Sequence, residues 1–122
     1  MTPEETGKLL AAAATVDNRK VGPLQVLMWH RVLGDLRYED CEAALVEHFG
    51  ESTDWVMPAH IRQRVKKIRL QRLEESKIPA PPHELIDNPP AYRAWLENAR
   101  RRISDGEQPA AIEANPLRSL EP

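Results

Sequence analysis

One cysteine, Cys41, is all the thiol that 122 residues provide. An internal disulfide and a cysteine-rich zinc site are thereby excluded, and a reducing cytoplasm is the compartment this usage suits. Glycine is also scarce. The five glycines stand singly at 7, 22, 34, 50 and 106, so no glycine-rich loop can cradle a phosphate. No run approaches the roughly 20 apolar residues that cross a bilayer. The acidic opening "MTPEETGKLL" develops no apolar leader segment, and a cytoplasmic protein without a membrane partner is expected. Nothing alternates with period two over a useful length, so no sheet is predicted.

Chemistry-bearing clusters are missing in the same way. His30, His48, His60 and His83 fall on three predicted helices and a linker, without an H-x-x-x-H ligand pair, and read as three ordinary surface or core-edge histidines plus a linker one. Cys41 lies on an inward helical line and reads as a small core residue. Glu39, Asp40 and Glu42 suit the positive end of a helix dipole. No catalytic residue, metal site or cofactor is expected, and the chain is not read as an enzyme.

What the chain does have is charge, unevenly spread. Its formal net charge is −2, yet residues 1–57 sum to −5 and residues 58–77 to +5. An acidic body thus carries one basic helix, "PAHIRQRVKKIRLQRLEESK".

The periodicity predicts an all-α fold. "TPEE" has the form of a capping box, with Thr2 as N-cap, Pro3 at the first helical position and Glu5 as its reciprocal partner. That helix should run to about Thr15 and bury Leu9, Leu10, Ala13 and Val16. Gly22-Pro23 opens a second helix through Asp35, apolar around most of its circumference and so expected at the centre of the domain. Tyr38 to Phe49 forms a third, on which Tyr38, Cys41, Leu45 and Phe49 recur, with Gly50 as its stop. Pro58 begins the fourth, with Ile61, Val65 and Ile68 inward. Together these give a small four-helix N-terminal domain over 1–77. Residues 78–90, holding five prolines, read as a linker. Asn88-Pro89 can start one further amphipathic helix, its docking part placed at 91–105. Residues 106–122 lack periodicity and are expected to form a disordered tail.

Two surfaces are candidates for binding. Arg62, Lys66 and Arg69 share a face of the fourth helix and could meet successive phosphates, each adding roughly −0.9 to the salt slope on duplex DNA. The loop before that helix is longer than a helix-turn-helix turn, and its first turn is nearly uncharged, so such DNA contact would be weak and non-specific. The second candidate is apolar. Leu70 points away from the inward line with Leu73 beside it, and Tyr92, Trp95 and Leu96 share a face beyond the proline linker. That face must either fold back or hold a protein partner.

"E-x-x-x-L-L" at 5–10, "VGPLQVLMWHRVLGDLRYEDCEAALVEHFGES" and "WVMPAHIRQRVKKIR" resemble small helical proteins of bacteriophages and prophages, among them the phage helicase loader/inhibitor proteins. The resemblance rests on Trp29 before "L-x-D-L" at 33–36, on "Y-E-D" leading an alanine-rich helix at 38–46, and on Pro58 opening a helix with Ile61. It covers residues 1 to about 73, through structural motifs that carry over no functional residue. It implies an accessory replication protein that binds the hexameric replicative helicase. The alternative is a DNA-binding phage regulator or origin organiser that uses the basic helix.

Overall fold

A computed structural model describes residues 1–118. Six α-helices and one 3-10 turn form them, with no strand among the described residues, so the chain is all-α. In order these are α1 (Pro3–Asp17), α2 (Pro23–Leu33), α3 (Tyr38–Glu51), α4 (Pro58–Glu75), the 3-10 turn His83–Leu85, α5 (Pro89–Ser104) and α6 (Pro109–Ala114). Two compact units divide the chain between Ile68 and Arg69, inside α4, where the sequence placed a boundary after residue 77.

In the first unit, α1 starts on the predicted capping box. Thr2 Oγ1 accepts from the Glu5 amide at 3.1 Å, and the Thr2 amide donates to Glu5 Oε1 at 2.8 Å. Leu9, Leu10 and Ala13 from α1, Trp29 and Leu33 from α2, and Cys41, Ala44 and Leu45 from α3 make the core, closed by Val56, Ile61 and Val65. The Ile61–Val65–Ile68 line packs inward as expected. α3 runs on through Gly50 to Glu51 instead of stopping there.

Two expectations fail in this unit. Val16 is exposed. α2 is not central: only Trp29 and Leu33 are buried, with Val26 packed beside them, while Leu24, Leu27, Met28 and Val32 face outward. An apolar circumference implies burial only where helices exist to cover it, and among the described residues this unit supplies cover on one side.

The second unit replaces both the predicted linker and most of the predicted tail. Asn88 Oδ1 caps α5 by accepting from the Ala91 amide. Trp95, Ala99 and Ile103 on α5 are buried with Ile112 of α6, and Leu73, Ile78, Leu85, Leu96 and Leu117 pack around them. Residues 78–90 therefore do not behave as a free spacer. Pro79 is buried, Ile78 and Leu85 join the core, and His83–Leu85 closes a turn. Within the span predicted as a tail, Pro109–Ala114 forms α6 and Leu117 packs on the core, whereas 119–122 lie outside the described residues. Just past the end of α5 stands Gly106, whose φ of +99° favours glycine, and the Glu107 amide reaches back to the Arg102 carbonyl.

Arg102 holds this unit together from inside. Its side chain is 2% exposed, and its guanidinium donates to Glu107 Oε2 at 2.8 Å, to the Asn115 carbonyl at 2.6 Å and to the Ala111 carbonyl at 3.2 Å. A buried guanidinium is stable only when its donors are so matched. Here they tie α5 to α6.

Candidate docking surface

The predicted docking helix is closed by its own chain. Trp95 is 1% exposed at the centre of the second core, and Leu96 packs around it. The sequence left this face to fold back on the first domain or to hold a partner; α6 and the 3-10 turn of its own unit cover it instead. Tyr92 stays partly open beside Ile86, Pro89 and Arg93. Leu73 also packs into the second core, whereas Leu70 is half-exposed as its position on the helix predicts.

The basic face of α4 is largely engaged. Arg62 forms a bidentate pair with Asp35, at 2.7 and 3.1 Å, and caps the Val32 carbonyl at 2.6 Å. The guanidinium holds the Asp35 carboxyl below its ordinary pKa. Arg64 bridges Glu47 and Glu51 at 2.8 and 2.9 Å, and Arg69 meets Asp105 at 2.6 Å. Of the predicted phosphate-binding set, Arg62 and Arg69 thus neutralise carboxylates of the same chain, and Lys66 remains on the exposed surface.

A different surface is built where α1 ends and the α3–α4 loop passes. Asp17 and Arg19 are both nearly buried and pair through two parallel contacts, Arg19 Nε to Asp17 Oδ1 at 3.0 Å and Nη2 to Oδ2 at 2.6 Å. Arg19 Nη2 also donates to the Val56 carbonyl at 2.7 Å, which pins the loop. This pairing holds the Asp17 carboxyl below its ordinary pKa, chiefly through the hydrogen bonds from Arg19. The guanidinium contacts two indoles, its carbon 5.1 Å from the Trp29 ring centre and 5.0 Å from that of Trp55. Both distances are within cation–π range. Trp29 is buried below, and Trp55 remains 60% exposed.

Trp55 is thus a large indole presented to water on a support of fixed charge. It borders a cleft of about 470 Å³, lined also by Val16, Asp17, Phe49 and Asp54. Behind the loop, His48 Nε2 donates to the Asp54 carbonyl at 2.8 Å. The His48 ring stacks on His60, whose Nδ1 accepts the Met57 amide at 2.9 Å at the start of α4. These histidines hold the loop and the helix start.

Cys41 is fully buried, and burial with the neighbouring Asp40 carboxylate pushes its thiol up to about 11. Among the described residues no cluster of three metal-ligating side chains forms, and no helix is long and apolar enough to cross a membrane. Sequence reasoning passed over Trp55 by treating the segment before the fourth helix only as a loop. The signal was one tryptophan in a polar loop where no helical period explains it.

No family model, curated protein or solved structure matches this chain.

Proposed function

We propose that this chain is a non-catalytic docking protein that holds a hexameric replicative helicase, as a loader, adaptor or inhibitor, through the cleft beside Trp55. The observation that carries the docking reading is the exposed Trp55 indole, fixed from below by the Arg19 guanidinium. Tryptophan is enriched among the anchors of protein interfaces, and one already held rigid at a cleft excludes much water with little loss of freedom on binding. The helicase is the partner implied by the resemblance of residues 1 to about 73 to phage loader proteins. The competing DNA-binding reading draws less support, since Arg62, Arg64 and Arg69 already meet carboxylates.

Calorimetric titration of the full chain into a purified hexameric bacterial helicase tests this. Trp55→Ala should weaken binding at least about 30-fold, corresponding to an anchor of about 2 kcal/mol, with an unchanged circular dichroism spectrum. Undetectable binding by the wild type would remove the helicase as partner. Equal binding by the two proteins would remove the cleft as the site.

A further inference from the structure

One peptide group in the loop before α4 is clamped at both ends. The Val56 carbonyl accepts from Arg19 Nη2 at 2.7 Å, and the amide of the same peptide, on Met57, donates to His60 Nδ1 at 2.9 Å. Met57 also begins the helix, since its carbonyl accepts from the amides of His60 and Ile61. His60 is the third residue of α4. A side chain at that position accepting the amide of the capping residue is half of a capping box, a place that glutamate or glutamine fills in the usual motif. Histidine can fill it only while neutral.

We infer that His60 is a pH-sensitive latch on the Trp55 surface, closed near neutral pH and open in mild acid. A backbone amide can only donate, so Nδ1 must carry no proton and the ring must be the Nε2–H tautomer. A proton added at Nδ1 sets two donors against each other, and turning the ring over brings a carbon to the amide instead. The positive end of α4 also opposes an imidazolium there, and its first turn holds no carboxylate to offset this. The closed latch therefore excludes a proton that the open one accepts. Acid favours opening, over the range in which histidine changes charge.

The groups around His60 do not replace the lost contact. His48 of α3 stacks on it, with ring centres 4.9 Å apart, and its own bond from Nε2 to the Asp54 carbonyl survives protonation. A charge on both rings would only push them apart. Glu47 and Glu51 of α3 are bound by Arg64 of α4, and Asp54 and Lys67 complete the charged lining of this cleft of about 380 Å³. Arg64 holds the Glu51 carboxyl below its ordinary range, so that pair keeps its charge in mild acid.

Opening reaches Trp55 through the peptide. Once its amide end is free, the Val56–Met57 peptide can turn and draw the Val56 carbonyl away from Arg19, the cation that supports the Trp55 indole. An anchor that has to be ordered on binding holds its partner less tightly. His60 is thus a positioning residue, and this last step rests on the docking role of Trp55, whereas the latch itself does not.

Two-dimensional NMR of the full chain between about pH 7.5 and about pH 5.5 tests the latch, with His60→Gln and His60→Ala beside it. In the wild type the Met57 amide should leave its hydrogen-bonded shift as the His60 ring titrates, and the Trp55 indole N–H should move with the same midpoint. His60→Gln keeps an acceptor that does not titrate, so both signals should stay in place. His60→Ala should show the open positions already at neutral pH. A wild-type Met57 amide that stays in place, or one that moves equally in His60→Gln, would overturn the latch. Calorimetric titration of the hexameric helicase at both pH values reads the link to docking. The wild type should bind about fivefold more weakly in acid, the worth of one cap, and His60→Gln equally at both. Equal wild-type affinity at the two values would overturn that link. A latch that opens in a chain with no affinity for the helicase at either value would support the latch and remove only the partner.

Discussion

Arg102→Met should unfold the second unit, and the size of the effect follows from what the guanidinium touches. The substitution keeps the aliphatic length but removes every donor. The Ala111 and Asn115 carbonyls lose their contacts with it, and Glu107 keeps only its exposed partner Arg118. Three hydrogen bonds from a charged donor are lost, each contributing about 1.5 kcal/mol or more, so the cost is about 4–5 kcal/mol. A unit of this size holds only a few kcal/mol more than its conformational entropy, so that loss takes all or most of its stability. Amide hydrogen exchange across α5 and α6 reads the result directly: protection present in the wild type should collapse in Arg102→Met. Arg102→Lys should recover little, since one ammonium cannot span the carboxylate and both carbonyls. Protection within about 1 kcal/mol of wild type in Arg102→Met would show that Ile112 and Trp95 hold the unit unaided, and the account of Arg102 would be wrong.

Two further outcomes follow from titratable groups. Glu107 is held below the ordinary carboxylate value of 4.5, first by its hydrogen bond with Arg102, so it contributes stability that is complete above that value and lost as pH falls through the depressed folded value. α6 protection should therefore decline below about pH 4.5 in the wild type and respond less steeply in Glu107→Gln, measured by hydrogen exchange at stepped pH. Cys41 should resist iodoacetamide at pH 7.5 in the folded protein and react at once in denaturant, because the thiolate is the nucleophile and the buried thiol is pushed up to about 11. Mass spectrometry of the alkylated protein decides it, and fast labelling of the native chain would contradict the burial.

Local features were legible in the sequence, and features that depend on distant cover were not. The Thr2–Glu5 box and the Ile61–Val65–Ile68 line are set within a few residues, and both form as read. The shared face of Tyr92, Trp95 and Leu96 was equally visible. Its cover was not, because Ile112 comes from "PAAIEA", six residues too short to show a period. Arg102 escaped notice because charge patterning assigns an arginine to solvent unless its partners are known, and those partners are mostly backbone carbonyls. α2 misled in the opposite sense. Its composition gives the number of apolar positions, and the count of available neighbours decides how many are buried. Trp55 needed the fold outright, since Arg19 and Trp29 reach it from separate elements.

The stack of Trp29, Arg19 and Trp55 also makes the protein its own optical probe. Of its three indoles, Trp29 and Trp95 are shielded from water and Trp55 is open to it. The red edge of the emission therefore belongs to Trp55, and a quencher such as iodide reaches that ring before the other two. Anything that settles in the cleft replaces water against a single fluorophore and moves the spectrum to the blue. Occupancy of this surface can be followed by light alone, with no label attached to the chain.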